Sequence, residues 1–88
     1  MNPTASWDKD NFEVNGQYDL TTDSTVNNAD TTTYEYSADG DDTYTGITDG
    51  ASWDTTGLDD GDVRITAEDD QGNSDTAETT VTVDNNNA

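Results

Sequence analysis

The chain of 88 residues has no cysteine and no histidine, and only one proline, one lysine and one arginine. Without cysteine, no disulfide staples a fold this small. Without histidine and cysteine, the usual general base and the thiol nucleophile are both missing. No serine has a base set beside it in the sequence. There is no apolar run of about 18 residues, so no helix spans a membrane. The first residues, MNPTASWDKD, lack the basic and apolar regions of a signal peptide. The only candidate glycosylation site, Asn2-Pro3-Thr4, is blocked by its proline.

What fills the sequence instead is carboxylate and threonine. There are 17 Asp, 4 Glu and 17 Thr, and the net charge is −19. Hydrophobic residues make up 27%, low enough to raise disorder as a reading. The single proline argues against disorder, as does the confinement of the tryptophans and tyrosines to patterned stretches. At this length a folded chain hides only about 60% of the surface its unfolded form exposes, so the core is small. In dilute buffer such a chain repels itself. The Debye length falls to about 3 Å at 1 M salt, which removes most of that repulsion. The composition therefore reads as an adaptation to concentrated salt. It excludes nucleic acid and anionic membranes as partners and leaves cations, basic surfaces and uncharged polymers.

Alternation of apolar with polar residues, frequent Thr, Tyr and Val, and turn signals roughly every eight to twelve residues predict an all-β chain. TASW and FEV read as a broken first strand with Trp7, Phe12 and Val14 inward. QYDLTT follows the Asn15-Gly16 turn with Tyr18 and Leu20 inward, and STVNNAD reads as a polar loop. TTTYEYSA carries Tyr34 and Tyr36 on one face and Glu35 on the other; TYTGI is a short edge strand. ASWDT carries Trp53 inward, GLDDGD crosses over with Leu58 as its plug, and DVRITAE and TAETTVTV close the fold around the DQGNSD hairpin. About seven antiparallel strands in two packed sheets follow, with aromatics carrying the core at roughly 1.5–3 kcal/mol for each large side chain buried. A two-carboxylate glycosidase would need a cleft that so small a sandwich does not offer, so no catalytic residue and no enzyme activity are expected.

The stretch from Thr33 to Asn85 resembles bacterial and archaeal immunoglobulin-like repeat domains of surface proteins. The resemblance rests on the Trp53–Thr56 strand, the Leu58–Gly61 corner, Thr66-Ala67 at the end of an alternating strand, the Asp69–Asn73 hairpin, and the Thr80–Asp84 closing strand. TYEYSADG, with Asp39-Gly40 in its turn, is similar to the family's central strand. The family often places a tyrosine two residues after the corner glycine; here that residue is Val63, so the corner is expected to rest on Leu58 packing and backbone bonds. The resemblance implies one immunoglobulin-like β-sandwich over residues 1–88, cut from a longer halophilic, archaeal or bacterial protein at the cell surface or outside the cell. Its implied role is a structural spacer or adhesion module. The alternatives are a calcium- or glycan-binding module and a subunit or appendage of a surface filament or secreted enzyme. Neighbouring domains of the same chain, other surface proteins, glycans and solvent cations are the expected partners.

Three acidic loops are candidate cation sites: Asp39, Asp41 and Asp42; Asp59, Asp60 and Asp62; and Asp69, Asp70, Asn73 and Asp75. Calcium takes about six to eight oxygens, and the last group combines carboxylates, an amide and a glycine in one turn, which makes it the metal candidate. None matches an EF-hand loop. The competing reading, favoured by a chain with 21 carboxylates, is a solvated acidic surface. No cofactor is expected beyond that calcium. Lys9 is expected to be solvated and paired with Asp8 or Asp10. Cross-linking to Asn85 after the last strand, as in some surface immunoglobulin-like domains, would need a buried amine. Arg64 is expected to form a cross-strand charge pair.

Overall fold

A computed structural model describes residues 2–38 and 43–84, whose longest extent is 48 Å. Nine strands are present among them, and there is no α-helix. They are β1 (Thr4–Trp7), β2 (Phe12–Val14), β3 (Gln17–Tyr18), β4 (Ser24–Asn27), β5 (Thr31–Ala38), β6 (Thr45–Ile47), β7 (Trp53–Asp54), β8 (Gly61–Glu68) and β9 (Ser74–Val83). They form a five-stranded sheet in the order β2-β9-β8-β5-β6 and two pairs, β1-β4 and β3-β7. The arrangement is all-β and compatible with a β-sandwich.

β8 is the strand whose alternation is clearest in the sequence, and it sits in the middle of the large sheet. Val63, Ile65 and Ala67 are all fully buried. It pairs antiparallel with β5 on one side and β9 on the other, so that Tyr34 faces Ile65 and Gly61 faces Val81. Phe12, Val14, Leu20, Tyr34, Trp53, Val63, Ile65 and Val81 form one core shared by the large sheet and the two pairs. Trp7, Tyr18, Tyr36 and Leu58 pack around it. Trp53 is buried as the sequence predicts, and Tyr36 tilts against it at 5.5 Å between ring centroids. Trp7 is half-buried, and its indole N–H donates to the Ala77 carbonyl at 2.9 Å.

Three features differ from the sequence reading. First, STVN is a strand and not a loop. β4 pairs with β1 so that Val26 lies opposite Ala5 and Ser24 opposite Trp7. It has one apolar residue and still earns a place because both Ala5 and Val26 are half-buried against the core. Second, the expected first strand is two strands in different sheets, and QYDLTT breaks after Tyr18. Leu20–Asp23 is a 3-10 turn whose start is capped by Asp19, which accepts from the Thr21 N–H at 2.9 Å. A short polar side chain bonding its own neighbours competes with the strand ladder there. Third, the sheet is not wholly antiparallel: β2 runs parallel to β9, with Phe12 opposite Val81 and Val14 opposite Val83. The first two changes account for nine strands in place of about seven.

The chain comes in beside one end of β9 and leaves at the other. The Ala5 N–H donates to the Asp75 carboxylate at 2.8 Å, while the Asp84 N–H donates to the Val14 carbonyl at 2.9 Å. Asp75 and Asp84 are nine residues apart on or just beyond one strand, which at ~3.3 Å per residue is about 30 Å.

Candidate functional site

In the hairpin candidate for calcium, Asp69 is bonded within its own turn. Asp69 accepts from the Gln71 N–H, the Asn73 N–H and the Asn73 side-chain amide at 2.9–3.0 Å. Chiefly through the Asn73 side-chain bond, its carboxyl is held below the usual carboxylate range. Asp69 and Asn73 are therefore brought together in one turn, the carboxylate accepting and Asn73 donating. Asp70 is exposed, and Asp75 turns to the Ala5 amide on β1. Among the described residues no group of three or more acidic side chains is placed to hold a metal ion.

The Asp59–Asp62 corner is built differently. Tyr36 sends its hydroxyl to the Asp59 carbonyl, and the Asp60 carboxylate accepts from the Val83 N–H at 2.7 Å. The Leu58 N–H donates to the Thr55 carbonyl at 3.1 Å, and Leu58 packs on the core. The corner thus has a tyrosine tie from β5, in addition to the leucine packing and backbone bonding expected. The third acidic loop, Asp39, Asp41 and Asp42, lies outside the described residues, as does Asn85.

Lys9 is 60% exposed, and its amine lies 3.3 Å from Asp23, whose side chain is only 4% exposed. Its partner is therefore neither Asp8 nor Asp10. The 3-10 turn presents Asp23 across the chain, and the Asp8 N–H donates to the Asp23 carbonyl at 2.7 Å, which leaves Lys9 reaching over the same spot. Asp23 also accepts from the Tyr18 hydroxyl at 2.5 Å. Burial, with that bond and the charges of Asp23 and Asp19, pushes the Tyr18 phenol up to about 12.

Arg64 forms the cross-strand pair its position predicts, and on both sides. Register aligns Glu35, Arg64 and Glu78 across β5, β8 and β9. The guanidinium is 2.9 Å from Glu35 and 3.8 Å from Glu78, and it lies 4.0 Å from the centre of the Tyr44 ring. Burial first, then Glu78 and Asp62, raise the Tyr44 phenol against the opposing pull of Arg64. The strand alternation located Arg64; nothing local in the sequence located Tyr44 above it.

One groove, missed by the sequence reading, lies between β6 and β7. It encloses about 350 Å³, with Tyr36, Ile47, Trp53 and Leu58 as its apolar lining and Asp49 and Asp54 on its exposed rim. Among the described residues β6 is the last strand of the large sheet and pairs only with β5, and β7 pairs only with β3. The groove is lined from the end strand of the large sheet and from β7, with Tyr36 of β5 and Leu58 of the corner between them. The signal for it was the short edge strand TYTGI followed by Trp53, which the sequence placed correctly without showing that they are neighbours.

No helix among the described residues is long and apolar enough to cross a membrane. Comparison with known protein families, with curated proteins and with solved structures found no match to this chain.

Proposed function

We propose that the chain is an immunoglobulin-like, non-catalytic spacer or adhesion module of a halophilic surface or secreted protein. The observation that carries this reading is the placement of the chain's two described ends at opposite ends of β9. A domain built so adds length when joined to others. The mixed sheet with β2 beside β9, and the Trp53 core under the Leu58–Gly61 corner, support the immunoglobulin-like fold. The acidic surface supports a concentrated-salt environment. Apart from Asp75, which faces inward to the Ala5 amide, the charged residues of the long strands β5, β8 and β9 lie on the outward half, where screening relieves their repulsion.

Two measurements test this. Thermal unfolding followed by tryptophan fluorescence is expected to shift upward with KCl, most steeply up to about 1 M, where the Debye length is near 3 Å. Millimolar calcium or chelator at 2 M salt is expected to change little, since only a specific site stabilises by mass action. Insensitivity to KCl combined with collapse on chelation would overturn the reading in favour of a metal-dependent domain. A two-copy tandem chain, measured by small-angle scattering at 2 M KCl, is expected to be close to twice the single domain's 48 Å extent. A tandem folded back to near the single-domain length would defeat the spacer role.

A further inference from the structure

The groove between β6 and β7 has a form that the spacer role does not use. Among the described residues β6 (Thr45–Ile47) pairs on one side, with β5, and all three of its residues line the groove. An edge strand presents a row of backbone donors and acceptors, and an extended peptide that adds to it satisfies them while alternate side chains point down. Here "down" is the apolar lining of Tyr36, Ile47, Trp53 and Leu58. Exposed Asp49 and Asp54 stand at the rim of the same groove, on a chain of net charge −19, so cationic side chains beside the apolar ones are favoured at its mouth. A second copy of this chain brings the same sign of charge to the same rim and is disfavoured.

We propose that this seam binds an extended cationic peptide segment by strand addition to β6, with apolar side chains in the groove and lysine or arginine between them facing Asp49 and Asp54. The two elements of recognition differ in origin. The charge term is general to so acidic a protein and fades with salt. The backbone term belongs to the β6 edge and persists. The spacer role and this binding are independent, and either can fail without the other.

The probe is an eight-residue blocked peptide alternating valine and lysine, titrated into the isotopically labelled chain at 0.2 M and 2 M KCl. The readouts are backbone amide shifts and Trp53 fluorescence. Saturable shifts are expected at Thr45, Gly46 and Ile47 with a change at Trp53. The same peptide N-methylated along its bonding edge keeps its charge and loses its donors; it is expected to bind at least tenfold more weakly at 2 M KCl. A valine-glutamate peptide is expected to bind at least tenfold more weakly at 0.2 M KCl. The double variant Asp49→Asn, Asp54→Asn keeps the acceptor oxygens that cap Ala51 and Thr56. It is expected to keep its unfolding temperature and lose several-fold in affinity at low salt. Equal binding by the N-methylated peptide, or shifts spread over the acidic surface without β6, would overturn strand addition. Shifts at β6 and Trp53 from cellotetraose and none from the peptides would overturn it in favour of a sugar site.

Discussion

Gly61 opens β8 at the acidic corner, and adding one methyl group there tests the register of the whole sheet. Its backbone does not need the left-handed region. What requires glycine is the distance to β5: a Cβ at this position would lie 2.1 Å from the Ser37 carbonyl oxygen and 3.0 Å from the Ala38 Cα. That is about 1.4 Å inside an ordinary contact of roughly 3.5 Å. Both obstacles are backbone, so no side chain can swing aside. The strands must separate, and Ala38 opposite Gly61 is the last pair of the β5-β8 ladder. Overpacking of this kind costs typically ~1–3 kcal/mol, and a ladder hydrogen bond lost with it ~0.5–1.5 kcal/mol. Gly61→Ala is therefore expected to lose about 3 kcal/mol. At a slope of ~1 kcal/mol per molar urea for a chain this small, the urea midpoint drops by about 3 M. Gly46→Ala on β6 is the control, because its Cβ would meet nothing within 4 Å; it is expected to stay within ~0.5 kcal/mol of the parent or gain slightly. Both are read by urea unfolding in 2 M KCl with circular dichroism. Equal midpoints for the two variants would refute the close approach of β5 to β8 at the corner.

Trp53→Ala empties the centre of the core and is expected to cost ~3–5 kcal/mol, a large part of the stability of a domain this size; a folded variant with an unchanged denaturant midpoint, read through Trp7, would rule out the placement. Tyr36→Phe removes the hydroxyl that holds the Asp59 carbonyl and is expected to cost ~1 kcal/mol in the same urea assay; no change would show that the corner stands without it. The Tyr18 phenol titrates near 10 when unfolded and about 12 when folded, so the unfolded state loses its proton first. Its contribution to stability is thus intact below pH 10 and declines from there to pH 12. Unfolding measured from pH 8 to 12 at fixed salt is expected to show that decline, reduced in Tyr18→Phe, with the Tyr44 share remaining; an equal decline in the variant would remove Tyr18 as its source.

The parts of the fold that were legible in the sequence are those set by one strand's own two faces. Val63, Ile65 and Ala67 are buried as their spacing predicts, and so are Tyr34, Trp53 and Val81. The parts that were not legible depend on which strand lies next to which. β4 looked like a loop because a pairing strand can be mostly polar when only Val26 has to meet the core. No local pattern announces that Phe12 runs parallel to Val81. The Lys9 partner was sought among its neighbours in sequence, whereas the 3-10 turn brought Asp23 from 14 positions away. For the acidic hairpin the sequence showed carboxylates and an amide in one turn. It could not show that Asp69 spends its oxygens on Asn73 and Gln71, or that Asp75 points at Ala5.

The parallel course of β2 along β9 also fixes how this chain would meet tension. A pull on its two described ends loads β1 against β4 and β9 first, and through it draws β2 back toward the Asp75 end of β9 while β9 is drawn the other way. The bonds between them are then loaded together and along the strands, rather than opened one at a time as at the end of a hairpin. Asn11 adds two ties across the same seam, its N–H to the Thr79 hydroxyl and its side chain to that of Thr80. The short parallel pair, only three residues on the β2 side, therefore stands directly in the load path, and the larger antiparallel ladders of β5, β8 and β9 lie behind it, sheltered until it slips.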